Sequence, residues 1–189
     1  QTQISGLLAK LGETYTVTGD GDVSVTVINS DPIGGSEGGS KTVLGAPVTS
    51  LKNGEQYVIA SGNNALSYSY NYYYRRYILS NVNINGGEGA DAPGASARWT
   101  IAPSNGGYTI STQIDGDTYY VTNSSWLSTG QFVWSYGGGK FYFIDEGWLW
   151  DTTYYLHYDN GWEVGESRTG SDLTVYPLEQ QTIAPSEPT

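Results

Sequence analysis

The stretch WTIAPSNGGYTISTQIDGDTYYVTNSS, residues 99–125, decides the fold. Apolar and aromatic residues alternate with polar ones in its runs YTI and TYYV, and Gly106-Gly107 and Asp115-Gly116 separate these runs. Alternation with a period of two predicts half-buried strands, and Asp-Gly is a preferred pair in tight hairpin turns. This stretch therefore predicts consecutive strands joined by short turns.

The same order of elements occurs three times along the chain. A glycine turn precedes an alternating strand in GEQYVIAS (54–61), GGYTIST (106–112) and GKFYFID (139–145). A second strand follows in NALSY (64–68), TYYVT (118–122) and TYYLHY (153–158), with third strands around Leu127 and Val164. Closing strands contain RWTI (98–101), QFVW (131–134) and LTVYPL (173–178). We call these repeat 1 (54–101), repeat 2 (106–134) and repeat 3 (139–178), and they predict a closed all-β architecture of three four-stranded repeats.

The order of elements resembles the β-trefoil of the ricin-type lectin group, most closely in residues 99–125. The resemblance covers roughly residues 52–179 and implies a trefoil-like domain with its tryptophans in the core. The sugar-binding Gln-x-Trp motif of that group is degenerate here, since the matching triplets are Ala97-Arg98-Trp99, Phe132-Val133-Trp134 and Leu173-Thr174-Val175. The sugar-binding aspartate of the group falls at Ser67, Thr122 and His157. The resemblance thus implies the architecture but not the group's usual galactose-type pockets.

The chain divides into four predicted segments. Residues 1–30 combine a short helix, from Ile4, Leu7, Leu8 and Leu11 at helical spacing, with a hairpin in YTVTGDGDVSVTVI (15–28). Residues 31–41 are a Gly/Ser-rich linker, 42–179 the trefoil-like binding domain, and 180–189 a C-terminal linker. Repeat 1 is longer than repeat 2, so we expect an insertion between Tyr57 and Trp99.

Composition narrows the classes of partner. The chain has 189 residues, 38% of them hydrophobic, and a net charge of −11, which repels phosphate backbones and anionic lipid surfaces. No apolar run is long enough for a membrane span, and without cysteine there is no disulfide or thiolate chemistry. We therefore expect no nucleic-acid partner and no membrane insertion. The absence of methionine and the start at Gln1 favour an excerpt of a larger protein.

SYSYNYYYRRYILS (67–80) is the first candidate binding surface. If the run is extended, Tyr68, Tyr70, Tyr72 and Tyr74 share one face, and Arg75 and Arg76 follow. A row of rings suits the apolar faces of sugars, and guanidinium groups donate to hydroxyls or carboxylates. The alternative is that the tyrosines cover the core and only their hydroxyls reach water.

DEGWLWD (145–151) is the second candidate, because Trp148 and Trp150 lie beside acids that include Asp151. The alternative is that one of these indoles plugs the barrel. Trp162, on the turn in DNGWEVGE, is predicted to present its ring to solvent, whereas Trp126 is assigned to the core.

The sequence offers few candidate catalytic or metal-ligating residues. His157 is the single histidine and lacks the partners of a zinc site or a catalytic base, so a structural role is expected. Pairs such as Asp145-Glu146 do not identify a hydrolytic site. Asp20-Gly21-Asp22 and Asp115-Gly116-Asp117 resemble calcium ligands but equally fit hairpin turns.

The sequence accordingly predicts a noncatalytic module that binds a glycan, an oligosaccharide or polysaccharide, without a cofactor or metal. We expect it to belong to a larger secreted or cell-surface bacterial protein. The alternative is an adhesin module that binds a host or cell-surface protein, or a structural spacer.

Overall fold

The computed structural model describes the backbone of residues 14–18 and 24–28 and the whole of residues 39–184. The predicted helix near Ile4 and the Asp20-Gly21-Asp22 turn lie outside these residues. The chain divides into two compact units, one formed by Gln1–Gly39 with Thr182–Thr189 and the other by Ser40–Gln181. In the first unit, β1 (Thr14–Thr18) pairs antiparallel with β2 (Ser24–Ile28), as the predicted hairpin requires.

The second unit is built from β-strands with one short 3₁₀ helix, Ala95–Ala97. Its strands are β3 (Ser40–Leu44), β4 (Glu55–Ser61), β5 (Asn64–Asn71), β6 (Arg76–Asn83), β7 (Trp99–Ser104), β8 (Gly107–Ile114), β9 (Asp117–Val121), β10 (Leu127–Ser128), β11 (Ser135–Gly137), β12 (Lys140–Asp145), β13 (Thr152–Tyr158), β14 (Trp162–Gly165) and β15 (Thr174–Thr182). The all-β prediction is therefore confirmed. Over the residues that the structure describes, no helix has the length and apolar character to cross a membrane.

Two sheets organise these strands. The larger sheet has the order β10-β9-β8-β7-β4-β15-β3, and β5 and β6 extend from β4 as a hairpin. The smaller sheet has the order β11-β12-β13-β14. Sequence neighbours pair antiparallel, and β15 pairs antiparallel with β4, so the closing strand of repeat 3 lies beside the first strand of repeat 1.

The turns follow the predicted chemistry where Asp-Gly or Gly is present. Asp115 and Gly116 join β8 to β9 with φ values of 52° and 92°. Two successive positive φ values define the turn that suits the right-handed twist of a hairpin, and Asp-Gly accepts them readily. Among the closing strands, Gln131–Trp134 is not formed as predicted, because only Trp134 makes an isolated bridge, to Tyr108, before β11 begins.

Two fully buried tryptophans lie in the main core. Trp99 pairs with Tyr57, and Trp134 bridges Tyr108. Each indole N–H donates to a backbone carbonyl, from Trp99 to Leu66 at 2.8 Å and from Trp134 to Val121 at 3.0 Å. Buried indoles usually find such a partner for their single donor. The assignment of these two tryptophans to the core is confirmed.

β4 is buried on both faces, and the long insertion in repeat 1 covers the face that points away from the main core. Tyr57 and Ile59 face the main core, while Val58 and Ala60 belong to a second cluster on the opposite face. That second cluster includes Ile84 and Ala97 from the glycine-rich end of the insertion. Backbone hydrogen bonds from Gly89 to Leu44 (2.7 Å) and from Leu44 to Ala90 (2.8 Å) hold the segment against β3. The insertion thus supplies both a cover for the sheet and the extension of the β5–β6 hairpin beyond the second strand of repeat 1.

Candidate functional site

The tyrosine-rich run forms a hairpin and not one extended strand. β5 ends at Asn71, residues 72–75 turn, and β6 begins at Arg76. The Asn71 Oδ1 accepts hydrogen bonds from the backbone N–H groups of Tyr73 (3.0 Å) and Tyr74 (3.1 Å), which closes the turn. The prediction that Tyr72 and Tyr74 continue the face of Tyr68 and Tyr70 is therefore wrong, because the asparagine side chain ends the strand between them.

The hairpin tyrosines form a chain of edge-to-face contacts that runs from the core to the surface. Ring centroids are 6.0 Å apart from Trp99 to Tyr68, 5.7 Å from Tyr68 to Tyr77, 5.1 Å from Tyr77 to Tyr70, and 5.0 Å from Tyr70 to Tyr72. Such edge-to-face pairs stabilise by about 0.5–1.5 kcal/mol each beyond the buried area. Tyr68 is half-buried, whereas Tyr72 is 85% exposed. The base of the run therefore covers the core, and its tip is open to solvent.

The base of this chain is further held by repeat 2. Tyr77 packs edge-to-face on Tyr119 of β9 at 5.2 Å. Burial raises the pKa of the Tyr77 phenol, and the nearby Asp115 carboxylate adds to the rise. The hairpin is thus fastened to the neighbouring repeat by packing between half-buried rings.

A cleft separates the hairpin from the loop that follows β9. The Leu79 N–H of β6 donates to Ser125 O at 2.8 Å, and Ile78 bridges Trp126, so the two segments meet along their backbones. Beyond this junction lies a cleft of about 660 Å³. Its walls are Arg75, Arg76, Thr122, Asn123, Ser124, Trp126, Leu127, Ser128, Gly130, Gln131 and Phe132. The lining therefore combines one indole, two guanidinium groups and several neutral hydrogen-bonding groups.

Trp126 forms the aromatic wall of the cleft and is 38% exposed. The Tyr74 ring meets it edge-on at 6.0 Å, and the Arg76 guanidinium lies 4.4 Å from its ring centroid. Its assignment to the core is therefore wrong, because the indole lies outside the main core cluster and contacts Tyr74 and Arg76 at the surface end of the β5–β6 hairpin. The signal that favours a surface role is the polar context, NSSWLS, around this indole.

The two arginines occupy defined positions at the rim. Arg75 has φ 50° at the end of the turn, a left-handed conformation that is uncommon for a residue other than Gly, Asn or Asp. The Arg76 Nε donates to Tyr74 O at 3.4 Å. The predicted residues Tyr74, Arg75 and Arg76 are thus brought together with Trp126, Asn123 and Gln131, which the sequence reasoning missed.

Trp148 and Trp150 lie on the loop between β12 and β13 and form a second exposed surface. Trp148 is 95% exposed, and Trp150 and Asp151 are also exposed. A Cβ on Gly147 would lie 2.3 Å from the Trp150 carbonyl oxygen, so the tight closure of this loop requires glycine. Neither indole plugs the core, which settles the alternative left open by the sequence. Within residues 39–184, no ring contact connects this loop to the cleft.

Trp162 does not reach solvent. It is 5% exposed, belongs to the main core, and packs edge-to-face on Tyr158 at 5.6 Å. The prediction of an exposed ring is wrong, because Trp162 opens β14 and pairs with Tyr158 of β13, which places its side chain on the core face of the sheet. Trp162 is therefore unable to contact a ligand at the surface in this structure.

The polar positions that match the lectin aspartate are all buried. Ser67 donates to Ser96 Oγ at 3.1 Å, and Thr122 donates to Trp126 O at 3.2 Å. His157 is buried, with its Nε2 at 3.6 Å from Glu163 Oε1. Asp115-Gly116 forms the turn described above, and no group of three acidic or histidine side chains suited to a metal ion occurs among the described residues.

No known protein family, characterised protein or solved structure matches this chain.

Proposed function

We propose that the chain is a noncatalytic glycan-binding module and that the cleft at Trp126 is its binding site. The observation that carries this proposal is the composition of the cleft wall, where a partly exposed indole lies beside guanidinium, hydroxyl and amide groups. A sugar ring presents apolar C–H faces, which stack on an indole, and hydroxyls around its edge, which need hydrogen-bonding partners.

The dimensions of the cleft support this assignment. Its volume of about 660 Å³ falls within the range of roughly 300–1,000 Å³ that small-molecule sites occupy. Ser124, Ser128, Asn123 and Gln131 supply both donors and acceptors along its walls. Gln131 also donates to the Tyr120 hydroxyl at 3.2 Å, which orients its amide. A short stretch of oligosaccharide fits these features better than an apolar ligand.

We also propose that the three repeats form a β-trefoil similar to the ricin-type lectin group. In repeats 1 and 2, Tyr57 pairs with Trp99 and Tyr108 bridges Trp134; in repeat 3, Leu173 N–H donates to Gly139 O. The pairing of β15 with β4 links the last repeat back to the first. The recurring contact in repeats 1 and 2 and the return of the last strand to the first support a trefoil in which the cleft lies between repeats, away from the group's degenerate sugar motifs.

Binding without hydrolysis follows from the lining of the site. Glycoside hydrolysis uses two carboxyl groups on either side of the scissile bond. The described residues that line the cleft include no Asp or Glu. We therefore propose recognition, with no chemistry on the sugar.

The proposed setting is extracellular, in a larger secreted or cell-surface bacterial protein. Only 14% of the residues are charged, while 14% are aromatic, so much of the polar surface consists of Ser, Thr, Asn, Gln and Gly. Such a surface suits contact with neutral polar ligands, and the lack of cysteine is compatible with export.

A second candidate function is a protein-binding adhesin module. Tyr72 and Tyr73 at the hairpin tip and Trp148 and Trp150 on the β12–β13 loop are strongly exposed. Exposed tyrosine and tryptophan are enriched at protein interfaces and contribute strongly to binding there. This function uses the tips of the loops and leaves the cleft empty.

A glycan array probed with the 189-residue chain tests the two functions. We expect binding to a subset of glycans, and Trp126→Ala should weaken that binding at least about tenfold through loss of the stacking surface. Trp148→Ala is the matched substitution of another exposed indole and should leave glycan binding within about twofold.

The opposite pattern contradicts the cleft assignment. If Trp148→Ala abolishes glycan binding and Trp126→Ala does not, the ligand site is the β12–β13 loop. If no glycan binds the chain at all, the glycan-binding proposal fails and the adhesin function takes its place.

A further inference from the structure

We propose that the cleft selects acidic glycans, those bearing carboxylate or sulfate groups, through Arg75 and Arg76. This inference rests on the proposed glycan-binding function and names the class of sugar. It is based on the local charge of the cleft, which contains two adjacent arginines although the chain as a whole carries a net charge of −11.

The three lysines among the described residues are already paired with carboxylates, whereas Arg98 and Arg168 each make one hydrogen bond through Nε. Lys41 pairs with Asp91 at 2.7 Å, Lys52 with Glu55 at 3.6 Å, and Lys140 with Asp172. Arg98 donates to Pro93 O at 2.8 Å, and Arg168 donates to the Tyr155 hydroxyl at 3.0 Å. Of the arginines and lysines in residues 39–184, Arg75 and Arg76 are the neighbouring pair that faces an open cleft with no carboxylate in ion-pair contact.

The structure holds the Arg76 guanidinium and the Arg75 backbone in place before any ligand arrives. The Arg76 guanidinium stacks over Trp126 and its Nε donates to Tyr74 O, which leaves its terminal N–H groups unassigned within the described residues. The Asn71 side chain closes the turn that places Arg75, whose φ of 50° fixes its backbone at the rim. A guanidinium oriented in this way is a planar donor that matches a carboxylate or sulfate with two parallel hydrogen bonds.

The neutral part of the lining favours an acidic sugar over an acidic peptide. Thr122, Ser124 and Ser128 present hydroxyls, and Asn123 and Gln131 present amides, along the same cleft. These groups match a ligand rich in hydroxyls, and the part of the Trp126 indole that Arg76 and Tyr74 leave exposed offers an apolar surface for a sugar ring. A uronic or sialic acid joins all three properties in one unit: an anionic group, hydroxyls and an apolar ring face.

Calorimetric titration of the 189-residue chain with matched ligands tests this selection. The probes are trigalacturonate and its methyl ester, 3′-sialyllactose and lactose, and a sulfated disaccharide with its desulfated form. In at least one pair, we expect the acidic member to bind about tenfold or more tightly than its neutral partner, as charge-assisted hydrogen bonds to arginine imply.

Substitution of the arginines removes this preference. Arg76→Gln and Arg75→Asn should each bring the acidic ligand to within about threefold of its neutral partner, and asparagine tolerates the positive φ at position 75. Arg76→Lys keeps the charge but loses the planar fork, so an intermediate preference is expected. Lys52→Gln, which removes an exposed cation outside the cleft, should leave the preference within about twofold. Thermal unfolding of each variant verifies that it folds.

The outcomes separate this inference from the proposed function. If neutral and acidic members bind equally, or the arginine variants keep the preference, the acidic selection is overturned while glycan binding stands. If tetraglutamate competes as well as the acidic sugars, the cleft recognises acidic peptides, and the inference also fails. If no sugar of either charge binds on this panel or on the array, both the inference and the proposed function fall.

Discussion

Trp148 and Trp162 show how similar local sequences reach opposite environments. Each follows a glycine and lies beside acids, in DEGWLWD and DNGWEVGE, yet Trp148 is 95% exposed and Trp162 is 5% exposed. Trp162 begins β14, and its pairing with Tyr158 turns the indole to the core. Trp148 lies in the β12–β13 loop, outside any strand. The position of an indole relative to a paired strand, more than its neighbours in the chain, determines whether it supports the fold or meets a partner.

The largest expected difference between interior and surface indoles is in stability. Trp99→Ala removes a fully buried side chain from the main core and should lower the free energy of unfolding by about 3–5 kcal/mol. Trp148→Ala removes an exposed ring and should change it by no more than about 0.5 kcal/mol. Urea unfolding followed by far-UV circular dichroism measures both. Equal losses would mean that the β12–β13 loop packs on the core in solution.

A finer difference separates two buried indoles. The Trp99 N–H donates to Leu66 O at 2.8 Å, whereas the Trp162 Nε1 is buried without a hydrogen-bond partner among the described residues. Trp99→Phe loses volume and leaves the Leu66 carbonyl unpaired, so we expect a cost about 1–3 kcal/mol greater than for Trp162→Phe. Chemical denaturation of the two variants under one set of conditions gives this difference. A greater cost for Trp162→Phe would show that its N–H has a partner in solution.

The smallest expected effect concerns buried and exposed phenols at alkaline pH. Burial raises the pKa of Tyr57 above its ordinary value of 10.0, so above pH 10 the unfolded chain releases this proton before the folded chain does. The protonated Tyr57 phenol therefore contributes its full stabilisation of the folded state below pH 10. This contribution is lost as the pH rises through the pKa of Tyr57 in the folded chain. At neutral pH, Tyr57→Phe should cost about 1 kcal/mol, since the Lys52 N–H loses its acceptor at 2.8 Å.

The raised Tyr57 pKa is tested by how steeply the free energy of unfolding falls with pH in each variant. Between pH 9 and the alkaline limit of folding, Tyr57→Phe should lose less stability than the unmodified chain. Part of the decline should remain, because burial also raises the pKa of Tyr136. Tyr73→Phe, which alters an exposed phenol, should follow the unmodified chain. Thermal unfolding across this pH range gives the slopes, and a parallel decline in all three proteins would contradict a raised Tyr57 pKa.

The strands were predictable because their signals are local. Alternation in GEQYVIAS and GGYTIST identifies β4 and β8, and Asp115-Gly116 identifies the turn between β8 and β9. The turn in the tyrosine run was missed because it contains neither Gly nor Pro. It is made by the Asn71 side chain and by Arg75 at positive φ, so its composition does not distinguish it from a strand.

The candidate site was predictable only in part, for a different reason. Tyr74, Arg75 and Arg76 were identified from their unusual density of rings and charges. Trp126, Asn123 and Gln131 were not, since they line the same cleft as the arginines but lie about fifty residues further along the chain, in another repeat. Recurrence between repeats suggested the core for Trp126, and the neighbouring turn suggested solvent for Trp162; both were wrong, because strand pairing and packing between distant segments decide these environments.

By itself, the amino-acid sequence determined the all-β character, the main strands and the acidic charge, because these depend on alternation and composition. The burial of Trp99 and Trp134 was expected from the resemblance to the trefoil repeats, and the structure confirms it. Only the tertiary structure decided which of the remaining rings reach solvent and that Arg75 and Arg76 meet Trp126. A cleft forms where segments distant in the chain pack side by side, and that juxtaposition leaves no periodic signal in either segment.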